Sequence, residues 1–374
     1  TRLGEPDRWG PLHETRSAAI LGVALGASFA TCFVTGVMSH LAQGEPSWFD
    51  WPARPAGLYR VTQGLHVTTG MASVPLLLAK LWVVYPRFFE WPPARSALHA
   101  AERLTLLPLV GGGLFLLFSG TANVARWYPW GFFFPRAHYW AAWITMGALV
   151  VHVGAKAATT LSATGRSPRP ELARASSLDR RSFLAGAGAA AGAVVLATAG
   201  GTVSALGWVS ALAQRRPGTG PQGLPVNKAA SQAGVVAAAG DAGFRLVVEG
   251  AVRQPLELSL DELRAMPQHE AELPIACVEG WSASARWRGV RVRDVLALAG
   301  AAEGSEVGVE SLQARGRYRR SDLNRRQAED PDTLLALELN GEPLHLDHGF
   351  PVRLIGPNRP GVLQTKWVSR LVVA

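Results

Sequence analysis

Pro274-Ile275-Ala276-Cys277-Val278-Glu279-Gly280-Trp281-Ser282 holds one of only two cysteines in the 374-residue chain. The other, Cys32, lies far upstream in an apolar run, so a disulfide framework is not expected. A lone thiol in the charged half of a protein needs its own explanation. Moving outward, the same half carries Trp287-Arg288-Gly289-Val290-Arg291-Val292-Arg293-Asp294-Val295-Leu296 and Leu339-Asn340-Gly341-Glu342-Pro343-Leu344. Asp347-His348-Gly349-Phe350-Pro351-Val352-Arg353-Leu354 and Gln364-Thr365-Lys366-Trp367-Val368 follow. Apolar runs at 244–248, 352–355 and 368–373 read as strands. Residues 258–264 read as a short helix capped by Ser259 or Asp261, and 292–298 as another helix. This half is mixed α+β.

The other half is different in kind. The chain is 48% hydrophobic and only 17% charged, against about 25% charged residues in a soluble domain. Five apolar stretches, roughly 17–41, 61–85, 98–124, 137–161 and 183–212, are long enough to cross a bilayer. Trp48, Phe49 and Trp51 follow the first, and Trp127, Tyr128 and Trp130 follow the third, as aromatic belts do at the headgroups. Residues 1–212 hold 17 basic and 9 acidic side chains, and residues 213–374 hold 20 and 19. The basic excess belongs to the apolar half, which argues against nucleic acid as the partner. With the N-terminus inside, the inner segments hold 13 Lys and Arg and the outer loops 4. That bias selects this orientation, and five spans then place the C-terminal half outside the cytoplasm.

The fifth stretch opens Ser177-Leu178-Asp179-Arg180-Arg181-Ser182-Phe183-Leu184, which resembles an internal twin-arginine export signal. Residues 1–165 are expected to form a four-helix membrane domain and 166–212 the twin-arginine-like segment with the fifth helix. Residues 213–228, rich in Pro, Gly and Arg, are expected to link, and 229–374 to form an extracytoplasmic domain. The sequence opens on Thr1 rather than Met, so its natural start is expected to be missing or trimmed.

Ionisable residues inside spans are functional candidates. His138 and His152 lie 14 residues apart on one stretch, nearly four helical turns and about 21 Å. They therefore share a face at two membrane depths. His66, on the second span, lies at the depth of His138; His99 or His13 can reach that of His152. Facing imidazoles between helices are what a six-coordinate haem iron requires. Two stacked haems would carry electrons across the bilayer. His40 reads as an interfacial residue.

Leu65-His66-Val67-Thr68-Thr69-Gly70 with the His138/His152 pair resembles the four-helix membrane cytochrome b family of hydrogenases, formate dehydrogenases and b561 proteins. That resemblance implies two haems b and favours His13 as the inner partner, while depth alone leaves His13 and His99 open. The five ordered motifs of the charged half resemble the sulfite-oxidase-type molybdenum domain, in particular its single-domain periplasmic form, the catalytic subunit of the methionine-sulfoxide reductase system. The expected fold is therefore multi-domain: an all-α bundle of five transmembrane helices followed by an α+β sulfite-oxidase-like molybdopterin domain.

This second resemblance implies molybdenum held by a molybdopterin and by the thiolate of Cys277. The chemistry agrees, because thiolate is a soft ligand and an unpaired thiol in an oxidising compartment is otherwise a liability. Arg353 and Lys366 match residues that meet the charged end of the pterin, where a buried phosphate needs cations and N–H donors. Gln364 and Thr365 are expected to offer donors there. His348 and Ser311 match contact positions, and Asn227, with Ala230 and Ser231, an early contact segment. One departure matters: Cys277 is followed by Val-Glu-Gly-Trp-Ser rather than the Asn-Arg of sulfite oxidases, which weakens sulfite as substrate. The run Arg315, Arg317, Arg319 and Arg320 reads as a solvated basic loop, and Tyr318 is left without a role.

The resulting expectation is a multi-pass enzyme of the bacterial inner membrane. It would pass electrons between quinol and Mo-molybdopterin through two haems b and reduce a small oxo-substrate, an S-oxide or N-oxide. Oxidation of a small oxyanion with electrons passed to quinone is the runner-up. A redox relay to a partner protein and an anchor without cofactor are the other classes. Membrane lipid is a partner, and a homodimer is left open.

Overall fold

The computed structural model describes residues 11–44, 46, 48–89, 91–92, 96–165 and 180–374, with backbone only at 11, 98, 101 and 102. Arg2, Arg8, Arg95, Arg166, Arg169 and Arg174 of the orientation argument, and residues 177–179 of the twin-arginine-like segment, lie outside these. The chain divides into two compact units, Thr1–Gly36 with Leu65–Thr198, and Val37–Gly64 with Ala199–Ala374.

The first unit is helical. α1 (Thr15–Gly44), α2 (Leu58–Phe88), α3 (Ala97–Ala125), α4 (Phe134–Gly165) and α5 (Arg180–Ala199) are each long and apolar enough to cross a membrane. They carry apolar side chains all round, with Val23, Leu78, Leu107, Ile144 and Val150 among those facing outward. A helix of that kind is stable in lipid, which satisfies nothing polar but leaves every backbone bond inside the helix. Pro75 and Pro86 in α2 and Pro108 in α3 are tolerated in that setting. α3 and α4 approach closely at Gly112, where a Cβ would fall 2.1 Å from Thr145 Oγ1. Such small-residue contacts let membrane helices approach without hydrophobic drive.

The fifth span is shorter than its apolar composition indicates. The sequence reading extends it to residue 212, but α5 ends at Ala199. Gly200 and Gly201 end the helix, and the Gly200 N–H is taken by Ser210 Oγ as the chain turns back through Ser204–Leu206. A Cβ at Gly200 would lie 2.6 Å from Ser210 Cβ, so the turn needs glycine. Twenty residues remain, which suffices for a span. Arg180, first in α5, pairs with Glu14 at 2.9 Å.

The second unit is built on two five-stranded sheets. After the short helices α6 (Ala230–Ala233) and α7 (Val236–Ala239), β1 (Arg245–Gly250) and β2 (Leu256–Ser259) pair antiparallel. α8 (Leu260–Ala265) follows, then β3 (His269–Ala276), β4 (Ser282–Arg291), α9 (Val292–Ala299), β5 (Val307–Ser311) and β6 (Arg320–Leu323). α10 (Arg325–Glu329), β7 (Leu334–Leu339), β8 (Glu342–Pro343), β9 (Arg353–Ile355) and β10 (Val368–Val373) complete it. One sheet runs β2-β1-β10-β5-β6; the other runs β3-β4-β7-β8, with β9 also on β7. Only β1–β10 is parallel, so the last strand closes the first sheet beside the first strand. Ser259 is the cap of α8, in a reciprocal box with Glu262.

One core joins Leu246, Val248, Val290, Val295, Val309, Leu354 and Leu371, and a second joins Leu273, Ile275, Trp281, Trp287 and Leu334. The stretch read as a linker, 213–228, is fastened to this unit. Gln222 donates to Pro343 O at 3.0 Å and accepts from His345 N at 2.8 Å, and Asn340 Nδ2 donates to Gln222 O at 2.9 Å.

The ends of α1 and α2 and the loop between them belong to the same unit. Trp51 Nε1 donates to Asn358 O, Asn358 Oδ1 accepts from Tyr59 N at 2.7 Å, and Asn358 Nδ2 donates to Pro52 O at 2.6 Å. Asn324 Nδ2 donates to Trp51 O at 3.1 Å, and Arg54 grips Asp330 through both Nε and Nη2 at 2.9 Å.

Candidate functional site

Cys277 is the first residue of the turn joining β3 to β4, whose last pair is Ala276 with Ser282. The Cys277 N–H donates to Trp281 O at 2.8 Å, and Gly280, at φ +88°, donates back to Cys277 O at 3.0 Å. Gly280 serves because a left-handed residue is needed to close the turn. The turn is clamped from 200–216: Thr202 Oγ1 donates to Gly280 O at 3.0 Å, Ser282 N donates to Gly201 O at 2.8 Å, and Arg215 pairs with Glu279. The thiol is buried and unpaired. Burial, with the negative charge of Glu279 second, pushes it up to about 12. A metal must therefore displace a proton to take the sulfur, as thiolate ligands require.

A cavity at Cys277 is lined by Pro225, Asn227, Ile275, Trp281, Arg353, Gly361 and Lys366. Four sequence-predicted residues thus converge: Asn227, Cys277, Arg353 and Lys366. Arg353 is 3% exposed, donates Nη1 to His348 O at 3.0 Å, and stacks its guanidinium 5.2 Å from the Trp287 ring centre. Its Nε has no partner, and burial pulls its pKa down to about 9. Lys366 Nζ donates to carbonyls of Lys228 at 2.9 Å and Asp347 at 2.7 Å. Burial and then Arg353 hold it well below the usual lysine range. Two cations pressed together with an unsatisfied donor suit a bound dianion. The donor set therefore fits a molybdopterin: Arg353 and Lys366 would meet its charged end, and Cys277 would offer the metal a thiolate.

The remaining predicted residues form a layer behind. His348 is fully buried, with Nε2 2.8 Å from Pro221 O and Nδ1 unpartnered. Burial, then Arg353, lowers it to about 4, so it is neutral. Ser311 Oγ donates to Lys366 O at 2.8 Å, and Thr365 Oγ1 meets Ser321 Oγ at 2.7 Å. Gln364 Nε2 lies 3.3 Å from Arg359 O, with Oε1 unpartnered. Arg359, 2% exposed and bonded to Gln327, was not anticipated. Pro225 and Gly361 had no sequence signal either; Trp281 lay within the quoted motif.

In the helical unit, His66 and His138 face each other with ring centres 6.1 Å apart. Two imidazoles ligating one iron at about 2 Å each place their ring centres roughly 6 Å apart. His66 Nδ1 lies 2.9 Å from Cys32 O, a pure acceptor, so that nitrogen carries the hydrogen. His138 Nδ1 lies 2.8 Å from Ser119 Oγ, whose own hydrogen goes to Phe115 O at 2.7 Å. Both Nε2 lone pairs are thereby left for a metal, the arrangement that outer hydrogen bonds impose on ligating histidines. Gly36 and Gly120 flank the pair: a Cβ there would lie 3.2 Å from His66 Cε1 and 3.5 Å from His138 Cε1. The residues fit a haem iron. His13 packs on Tyr85 and Trp82 with Nδ1 3.0 Å from Val83 O. The partner of His152 stays open between His13 and His99.

Fold and site together define a multi-pass membrane protein carrying a pterin-dependent redox domain, and the family comparison agrees. The model of the oxidoreductase molybdopterin binding domain matches residues 233–374, and this segment is such a domain. Mitochondrial sulfite oxidase of Mus musculus is 36% identical over 157 residues, covering 35% of this chain and 29% of that protein. A protein of Azospira oryzae, provisionally named protein-methionine-sulfoxide reductase subunit YedZ1, is 37% identical over 133 residues, covering 35% of this chain and 49% of its own length. The chain thus spans less than half of either relative. The solved sulfane dehydrogenase SoxCD of Paracoccus pantotrophus is 26% identical over 35% of this chain and 38% of that one, with a TM-score of 0.33.

Proposed function

We propose that this protein is a molybdenum oxidoreductase of the bacterial inner membrane, with its C-terminal domain on the extracytoplasmic side. It exchanges electrons between quinol and a molybdopterin site through two haems b and reduces a small S-oxide or N-oxide. The observation that carries the reading is the convergence of the lone thiol of Cys277 with Arg353, Lys366 and Asn227 on one cavity. When bound, the molybdenum cofactor supplies two-electron oxygen-atom transfer. The overall reaction takes two electrons and two protons, breaks the S=O or N–O bond, and releases the oxygen as water.

The residues have separable tasks. Cys277 offers the protein's thiolate, and the clamped turn 277–281 fixes where it points. Arg353 and Lys366 hold the anionic end of the pterin, and buried Trp287 backs the guanidinium. His66 and His138 hold the outer haem, with Cys32 O and Ser119 fixing their tautomers. Glu279 adds negative charge beside the sulfur, offset in part by Arg215, which favours a neutral oxo compound over an oxyanion. Residues 1–165 would act as the cytochrome, 166–212 as export segment and fifth helix, and 229–374 as the catalytic domain.

The test is a metal and haem analysis of detergent-extracted protein, followed by a substrate screen on the dithionite-reduced haems. Methionine sulfoxide or trimethylamine N-oxide should reoxidise them. Reduction of oxidised haems by sulfite would select the oxyanion-oxidising alternative instead. Reoxidation by neither, but by a partner protein, would select the relay, and absence of molybdenum and iron would reject all three.

A further inference from the structure

The segment that follows α5 has no place in the described pocket. No charged residue occurs between Arg181 and Arg215. Residues 203–212 turn Trp208, Leu212 and Val203 outward, 86%, 58% and 44% exposed. Leaving such a cluster in water forfeits the gain of burying it.

The backbone beneath these side chains is satisfied from within. Val203 N donates to Ala199 O at 2.8 Å, Leu206 N to Val203 O at 3.0 Å, Gly207 N to Ser204 O at 3.0 Å and Ala211 N to Val209 O at 3.0 Å. Ser210, fully buried, takes the Gly200 N–H and gives its own hydrogen to Leu206 O at 2.9 Å. Arg216 Nη2 closes the loop on Ser210 O at 2.8 Å. Irregular backbone enters the edge of a bilayer only when its polar groups are paired in this way.

The depth of the loop is set inside its own unit. Thr202 O accepts from Arg60 Nη2 at 3.4 Å, and a Cβ on Gly64 would lie 3.6 Å from Thr202 Cγ2. Gly64 lies about 9 Å along α2, a helix long and apolar enough to cross a membrane. Thr202 therefore stands beside the first two turns of one such helix, just past Ala199, where another ends.

We propose that residues 203–212 lie in the lipid of the bilayer face at which α5 ends and α2 begins. Trp208 would sit at the boundary of headgroups and acyl chains, where an amphipathic ring is favoured. The partner is the lipid surface itself. The same stretch of chain holds the Cys277 turn, through Thr202 Oγ1 on Gly280 O, Gly201 O on Ser282 N, and Arg215 on Glu279. The membrane thereby steadies the turn that presents the thiol. This inference stands on the helices being spans, and not on what Cys277 binds.

The experiment uses the full-length protein in phosphatidylcholine nanodiscs. A nitroxide on Trp208→Cys or Leu212→Cys, with unsubstituted protein as the labelling blank, should collide more often with oxygen than with a water-soluble nickel chelate. The reverse preference would overturn the lipid contact, and shielding from both would overturn it in favour of a protein surface such as a second copy. Hydrogen exchange at the amides of Cys277 and Gly280 reads the coupling. Trp208→Ser should quicken that exchange about tenfold, and Trp208→Phe should not. Thr202→Val should quicken it without changing the collision preference of a nitroxide at Leu212→Cys. Unchanged exchange in Trp208→Ser and Thr202→Val would overturn the coupling.

Discussion

Trp51 donates its indole N–H to the backbone carbonyl of Asn358, 307 positions later in the chain, at 2.8 Å. The loop between the first two membrane helices is in this way stitched into the molybdopterin domain's own unit. Asn358 is the centre of the stitch: it is 2% exposed, adopts φ +53°, and serves both Tyr59 N and Pro52 O.

Asn358→Ala should therefore be costly. It strands two buried backbone groups, at about 1–3 kcal/mol, and puts a Cβ residue in the left-handed region, at about 1–2 kcal/mol. Asn358→Gly should recover only the second part, since Asn and Gly both accept this backbone. Thermal unfolding of the detergent-solubilised protein checks the order wild type, Gly, Ala. Equal midpoints for all three would show that the stitch contributes nothing.

Cys277→Ala should abolish turnover and molybdenum retention and leave the haem spectrum intact. The substitution removes the one thiol of the cavity, while the haem candidates lie in the other unit. Metal analysis beside an absorption spectrum reads both. Retained molybdenum would reject Cys277 as its ligand.

Lys366 gives a pH signature. Burial depresses its pKa in the folded protein, so between that depressed value and the ordinary lysine value near 10.4 the unfolded chain binds more protons. Stability rises with pH wherever that holds. Protein stripped of pterin should thus gain stability as pH climbs through this window, with the penalty greatest below it. The gain should flatten when a phosphate-bearing pterin sits against Lys366 and Arg353. Unfolding midpoints across alkaline pH, with and without cofactor, make the comparison; identical slopes would count against the anion clamp.

The haem candidates separate by depth. His66→Ala or His138→Ala should remove the outer haem only, and His152→Ala the inner one only. Ser119→Ala should weaken the outer haem without removing a ligand, by about 10–100-fold in affinity. Haem quantitation with redox titration resolves the two centres. Loss of both haems from His152→Ala would contradict two independent depths.

Much of this was legible in the residues. Span length and the ordered motifs around Cys277 and Arg353 are local patterns, fixed by the 1.5 Å rise of a helix and by which residue types a turn accepts. The end of α5 was not legible, because 183–212 carries no charge, and the turn that Gly200 makes against Ser210 shows only in the folded chain. Nor was the fastening of 213–228, whose Pro and Gly content reads as flexible until Gln222 finds Pro343 and His345. Asn358, Arg359 and Tyr59 carried no signal at all. Composition and periodicity report what a segment can do with its neighbours in sequence. The partners of Trp51 and Tyr59 lie hundreds of positions away, and their hydrogen bonds exist only after the two sheets and the helix ends have closed around them.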